Sequence, residues 1–263
     1  MSHIQTPGLS QEQITHFIEH GYLRLTNAFG ADLAHEGREA LWHAMGLSED
    51  APGTWTRPVV RLGFMTGRPF VDAANTPVLH AAYDALVGQD RWVRPTGLGT
   101  FPVRFPSPDD PGDAGWHVDV SFGTDHPDFM QWRANVRSDG RALLMLFLFS
   151  DVGEQDAPTR IRAGSHVPIA RQLLPHGEAG LTLAELAADG FASSAGCDEA
   201  LATGPAGTVY LCHPFLVHSA QPHRGTRPRF MAQPALLPRA SFDPALPPSP
   251  VQIAIRRAIG MPA

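Results

Sequence analysis

A histidine and an aspartate two positions apart on an extended strand point to the same face, about 6.6 Å apart along the chain. An imidazole nitrogen and a carboxylate oxygen then converge on one cation. His117-Val118-Asp119 has this spacing, and so does His126-Pro127-Asp128. In a chain with 13 histidines such a pair arises about once by chance, so context decides between them. The first pair lies in Gly-Trp-His-Val-Asp-Val-Ser-Phe, residues 115–122, a strand-like run. The second holds a proline inside a Gly/Thr/Asp/Pro loop, where an aspartate more commonly caps a turn. A third ligand has to come from a distant segment. Residues 207–229 offer His213, His218 and His223. His218 closes the apolar run 215–217, where a buried histidine needs a reason. His213 precedes Pro214 and fits a packing role, and His223 sits among turn residues and is expected to be exposed. Two histidines and one carboxylate bind Fe(II) on one face and leave open positions for substrate and O2.

The elements that must position these residues change character along the chain. The first 90 residues read as mainly helical support. Ser10 and Gln13 form a capping-box pattern, Ile14, Phe17 and Ile18 follow at helical spacing, and Gly21 ends the helix. Residues 22–25 alternate like a short strand. Helices are expected over 31–45, with Leu33, Leu41 and Met45 on the buried side, and over 76–86. The Pro/Gly/Arg-rich stretch 51–70 reads as loop. From 91 to 240 short apolar runs alternate with turn residues: 100–105, 115–122, 141–149, 159–162, 208–217 and 229–237. Run 142–149 is apolar on both alternating faces, which marks a strand covered on both sides. Residues 175–201 read as an insertion with one helix near 182–188. The Pro-rich tail 241–263 ends in a helix near 251–259. The fold class expected is mainly β with helices, α+β, in a single domain over 1–263 with an N-terminal helical layer on a double-sheet core.

With these residues in place, the chain resembles the phytanoyl-CoA dioxygenase family of Fe(II)- and 2-oxoglutarate-dependent oxygenases. The resemblance rests on Trp116-His117-Val118-Asp119, the distal His218 and an arginine eleven residues later at Arg229. Residues 9–25 resemble the family's opening helix, glycine and strand. Asp151-Val152, then residues 156–166 ending in Gly164-Ser165-His166, resemble its central pattern. The resemblance spans roughly residues 9–240 and implies a double-stranded β-helix, a jelly-roll or cupin-like core. It implies His117, Asp119 and His218 as iron ligands and Arg229 as the clamp on the distal carboxylate of 2-oxoglutarate, with Ser219 and Thr159 as further cosubstrate contacts. A guanidinium fork matches a carboxylate in two hydrogen bonds. Arg227 is a rival clamp, but it precedes Pro228 and lies nearer the turn. The chain departs from the pattern where Ala220 replaces a common serine, His223 a common asparagine and Ala163 a proline. The implied reaction is hydroxylation of an unactivated C–H bond in a small metabolite or natural-product intermediate, with succinate and CO2 released. The carboxylate at Asp119 disfavours halogenation, for which relatives carry a small residue. Phe122, His126, Trp132 and Arg133 are candidate substrate contacts, and the stretch 57–64 and the insertion are candidate lids.

Composition removes other classes of chemistry. All 20 basic residues are arginine and the chain has no lysine. Schiff-base, pyridoxal-phosphate and phosphate-loop chemistries are therefore excluded. Any anion held by a permanent cation is held by arginine or a metal. The net charge of −6 and the lack of a basic block argue against a nucleic-acid partner. The longest apolar run, 142–149, is too short to span a bilayer. The polar N-terminus reads as no secretory signal, and Cys197 and Cys212 are too few for a disulfide framework, so a cytoplasmic location is expected. Two further readings use the same fold: a cupin-type isomerase or hydrolase that ignores 2-oxoglutarate, and a non-catalytic ligand-binding jelly roll. Whether Arg229 points toward the metal discriminates the first.

Overall fold

Residues 8–242 and 246–262 are described by the computed structural model. The outermost ends of the expected 1–263 domain, and residues 243–245 of its tail, lie outside them. The elements in chain order are α1 (Gln11–His20), β1 (Tyr22–Leu25), α2 (Ala31–Met45), β2 (Val59–Leu62), α3 (Arg68–Ala74), α4 (Pro77–Val87), β3 (Phe101–Arg104), β4 (Arg133–Ala134), β5 (Leu143–Leu148), β6 (Arg160–Arg162), α5 (His166–Leu173), β7 (Leu181–Thr182), α6 (Leu183–Leu186), β8 (Glu199–Leu201), β9 (Val209–Cys212), β10 (His218–Ser219), β11 (Met231–Ala232), β12 (Ala235–Leu236) and α7 (Pro250–Ala258).

All strand pairings are antiparallel. The larger sheet runs β1-β9-β5-β11, with β12 also on β5. Beyond β11 it continues into the β2–β3 pair: Arg104 and Arg229 exchange backbone hydrogen bonds of 3.1 and 2.8 Å, and the Gln233 amide donates to Thr100. The smaller sheet runs β10-β6-β8, and a bridge from His218 to His117 extends it, with two backbone bonds of 2.9 Å.

Strand β5 shows why its sequence is apolar at every position. Leu144, Leu146 and Leu148 pack with Tyr210, Cys212 and Met231 of the same sheet against Ile161, Ala202 and Leu216 of the smaller sheet and its loops. Leu143, Met145 and Phe147 face the other way, into a cluster with Phe17 of α1, Leu41 of α2, Phe70 of α3, Tyr83 of α4 and Ile255 of α7. One face of the large sheet thus meets the second sheet and the other meets the helices, so both must exclude water.

Helix α1 follows its capping signals: Ser10 and Gln13 exchange both capping-box bonds, and Gly21 ends the helix at φ 78°. Only glycine suits that corner, since a Cβ there would lie 2.5 Å from the His166 ring. The 31–45 helix, with Leu41 buried and Leu33 and Met45 half-buried, the 76–86 helix and the tail helix form as expected.

The structure departs from the sequence reading at several elements. The 51–70 loop contains β2, which forms because β3 supplies a register of four residue pairs. Helices α3 and α5 carry no side-chain cap bond at their N-termini, so the usual start signal is missing. Residues 115–122 do not form a continuous strand. They are extended chain touched by bridges at His117 and Phe122. The 229–237 run divides into β11 and β12. The 175–201 segment contributes β7 to β4 and β8 to β6, so it completes sheet edges. Among the described residues no helix is long and apolar enough to cross a membrane, and both cysteines are free.

Candidate metal centre and its anion site

His117, Asp119 and His218 each bring one donor atom to within 4.8 Å of the others, the one such group among the described residues. The extended chain at 117–119 delivers the first two to one face, and β10 brings the third alongside. The two rings lie 4.3 Å apart between centroids. Each imidazole is oriented by the carbonyl two residues earlier. His117 Nδ1 meets Gly115 O at 2.9 Å and His218 Nδ1 meets Leu216 O at 3.0 Å. Donation from Nδ1 leaves Nε2 as the free lone pair on both rings, the arrangement that metal-ligating histidines use. Trp116, on the opposite side of the chain, stacks between the Arg160 and Arg162 guanidinium groups at 4.5 and 4.1 Å. That contact holds the segment against β6.

Asp119 faces two ways. Oδ1 lies 3.8 Å from His218 Nε2, and Oδ2 lies 3.2 Å from Arg141 Nη1. Burial alone would raise the Asp119 carboxyl, but Arg141, His218 and His117 outweigh it and hold it below its ordinary value. Burial, with His117 beside it, pushes the His218 imidazole down to about 4. A neutral imidazole and an ionised carboxylate are the protonation states a divalent cation needs. A cavity of about 390 Å³ opens on Asp119, Arg141 and His218, with Phe64, Thr100, Gln233 and Ala235 in its wall.

A second cluster sits deeper between the sheets. Along β11 and its flanks, Arg229, Met231 and Gln233 share one face, the face on which Met231 packs against the second sheet. Arg229 is 1% exposed. Its Nη1 donates to Ala157 O, its Nη2 donates to Pro102 O at 3.3 Å, and its Nε has no partner among the described residues. Arg104, directly across the strand pair, is 2% exposed and ion-paired to Asp113 at 2.7 Å. Its Nε and Nη1 lack hydrogen-bond partners, as does Nε2 of buried His223. Burial and the neighbouring Arg104 pull the Arg229 guanidinium well below its usual value. No carboxylate among the described residues pairs with Arg229. Burying a cation without a counter-charge costs several kcal/mol, about what a bound anion would restore.

His223 corrects the expectation of exposure: it is 5% exposed. Its Nδ1 accepts from the Gly225 amide, which curls the turn inward, and Asp156 and Arg229 are its charged neighbours. Thr159 is buried beside the cluster, with its hydroxyl 3.7 Å from Met231 Sδ. The Ser219 hydroxyl is turned to Ala114 O and Ala220 O, so the structure does not bring it to the cluster. Arg227 lines a separate cavity with Arg38, Trp42 and Asp156. His213 is a packing residue between the Val251 carbonyl and the Phe215 amide.

The candidate substrate contacts lie elsewhere. None of Phe122, His126, Trp132 and Arg133 is in the wall of the metal cavity. Phe122 bridges Arg133, whose side chain donates to Ala179 O and Gly180 O at 2.7 and 2.9 Å. Exposed His126 takes the Trp132 indole N–H on its carbonyl at 2.7 Å. These four therefore tie the loop after the metal segment to the 175–201 segment. Phe64, from the expected lid stretch, does line the cavity. Two residues at the centre had no motif to announce them, Arg104 and Arg141. The available signal was a charge at the edge of an apolar run, Phe-Pro-Val-Arg-Phe in one case and Arg-Ala-Leu-Leu in the other.

No family model matches the sequence, and no curated protein matches it. Solved structures do match. HygX from Streptomyces hygroscopicus, with nickel and 2-oxoglutarate bound, is 20% identical over 86% of each chain, with a TM-score of 0.53. SnoK, a non-haem α-ketoglutarate-dependent carbocyclase from nogalamycin biosynthesis, is 14% identical over 87% of this chain and 84% of its own, with a TM-score of 0.55. EctD from S. alaskensis, with 2-oxoglutarate and 5-hydroxyectoine, is 20% identical over 88% of this chain and 76% of its own, with a TM-score of 0.54. At these identities the likeness is one of fold: this chain shares the architecture of HygX, SnoK and EctD.

Proposed function

We propose that this chain is an iron(II)- and 2-oxoglutarate-dependent oxygenase of the phytanoyl-CoA dioxygenase type, on a double-stranded β-helix. Its reaction is hydroxylation of an unactivated C–H bond in a small metabolite or natural-product intermediate. The observation that carries the reading is the pairing of two sites between the same sheets: a two-histidine, one-carboxylate centre and a buried arginine with no counter-charge. The donor set fits Fe(II), because two imidazoles and one carboxylate leave metal positions open. The orphaned Nε of Arg229 fits a carboxylate. The three fold neighbours, each named or captured with 2-oxoglutarate, support the same reading.

Iron, 2-oxoglutarate and O2 together supply the oxidising power, with succinate and CO2 as coproducts. The chain supplies the rest. His117 and His218 present their Nε2 atoms, the rings oriented by Gly115 O and Leu216 O. Asp119 presents Oδ1 on the histidine side while Arg141 occupies the side of Oδ2. Arg229 fixes the distal carboxylate of the cosubstrate, with Thr159 beside it and Arg104 and His223 adding unpaired donors. Phe64 and Ala235 give the cavity wall an apolar part.

The test is succinate formation from 2-oxoglutarate in air with Fe(II). The wild type should form succinate slowly without a substrate, and Asp119→Ala should not. Equal rates in both proteins, or none in the wild type, would contradict the reading.

A further inference from the structure

We propose that Arg141 anchors a carboxylate of the substrate, so that this oxygenase acts on an organic acid with an apolar body. The proposal rests on the functional reading above and names its substrate class.

Arg141 lines the same cavity as Asp119 and His218. Its side chain is 14% exposed, and its Nε and Nη1 have no hydrogen-bond partner among the described residues. Its contact with Asp119 Oδ2 at 3.2 Å is an ion pair without hydrogen-bond alignment. A guanidinium that served only to hold Asp119 would turn its fork onto the carboxylate.

Charge decides what the free donors await. Asp119 is the acidic group of the cavity wall and Arg141 the permanent cation. A divalent metal takes up the charge of Asp119, and the chelating carboxylate of 2-oxoglutarate offsets the remainder. Arg141, its side chain only 14% exposed, is then left without a counter-charge, a costly state that an anion relieves. Phe64, 59% exposed, stands at the same cavity with Ala235 and offers an apolar surface to the rest of the ligand. Gln233 and Thr100 add neutral polar groups.

The position of Arg141 is built into the backbone. Gly140 has φ 81°, and a Cβ there would stand 2.4 Å from Ser121 O. The Ser121 hydroxyl donates to Asp139 O, and Asn135 donates to the Asp139 carboxylate at 2.8 Å. The 135–141 turn is thereby fastened to the chain that carries the metal ligands.

The test uses anaerobic Fe(II)- and 2-oxoglutarate-loaded protein and a matched pair of probes, phenylacetate and neutral phenylacetamide. Binding is measured by calorimetry, and the visible charge-transfer band of the iron–2-oxoglutarate complex reports that the cosubstrate stays in place. The wild type should bind phenylacetate at least tenfold tighter than phenylacetamide. Arg141→Gln should bring that ratio near one with the band retained, and Arg141→Lys should keep part of the preference. A ratio near one in the wild type, an unchanged ratio in Arg141→Gln, or bleaching of the band by phenylacetate would each overturn the proposal. A purely positioning role for Arg141 would weaken iron binding in Arg141→Gln while leaving the ratio intact, which also overturns it. Absence of the band in the wild type at saturating iron and 2-oxoglutarate would instead overturn the functional reading, and this proposal with it.

Discussion

Replacing Arg229 with methionine should cost ligand binding far more than it costs the fold. Arg229 is among the largest fully buried side chains and faces Arg104 across the strand pair. The Arg104 charge is answered by Asp113 at 2.7 Å, and that of Arg229 is not. Burial lowers the Arg229 pKa, so the folded chain holds that proton less tightly than the unfolded chain does. At neutral pH the charge therefore subtracts stability until an anion arrives. Methionine removes the charge but leaves the Ala157 and Pro102 carbonyls without their donors, at about 1–3 kcal/mol each. Removing an uncompensated buried cation returns several kcal/mol, so the net change without 2-oxoglutarate should stay within about 2 kcal/mol. Loss of a charge-assisted fork of about 3 kcal/mol weakens 2-oxoglutarate binding roughly 150-fold. At a concentration about 100 times the wild-type Kd, 2-oxoglutarate stabilises the wild type by about 2.7 kcal/mol and the variant by about 0.3. The assay is urea unfolding of the Ni(II)-loaded proteins with and without 2-oxoglutarate. A loss above about 3 kcal/mol without 2-oxoglutarate, or equal stabilisation of both proteins by it, would refute the reasoning.

The metal-free protein should lose stability as pH falls from about 6.5 to about 4. Burial pushes both His166 and His218 down to about 4. Between that value and the ordinary one the unfolded chain binds more protons than the folded one, so unfolding gains on acidification, by an order of 3 kcal/mol per histidine. Chemical denaturation at pH 7, 6, 5 and 4 reads this directly, and a flat profile would count against it. Gly140→Ala should strain the turn at φ 81° and press on Ser121 O, costing at least 1 kcal/mol and lowering metal affinity by displacing Asp119, two residues before Ser121. Calorimetric Ni(II) binding checks the second effect, and unchanged affinity would mean that the turn does not position the centre.

The parts that were legible in the sequence are those with local physical signatures. The Ser10 and Gln13 box, the Gly21 stop and the double-faced apolarity of 142–149 each have a short-range cause, and each forms as expected. The i, i+2 spacing and its context pointed to His117 and Asp119, while His218 was singled out from three candidate histidines by the family resemblance; the structure brings the three together although residues 115–122 are not a regular strand. Arg104 and Arg141 were not legible. Their roles depend on which strands the topology places side by side, and an arginine at the edge of an apolar run looks like a solvated one. His223 misled for the same reason: turn residues surround it in sequence, but Arg229 and Asp156 surround it in space. Strand β2 and helix α3 lacked signals because register and packing, rather than capping or alternation, hold them.

If the proposed function is right, His117, Asp119 and His218 hold Fe(II) and the buried Arg229 clamps the 2-oxoglutarate that binds to it. The most direct measurement is anaerobic titration of the Fe(II)-loaded protein with 2-oxoglutarate, following the weak visible metal-to-ligand charge-transfer band in wild type and in Arg229→Ala. The band should appear in the wild type, with far more 2-oxoglutarate required in Arg229→Ala. No band in the wild type at saturating iron and 2-oxoglutarate would contradict the proposed function.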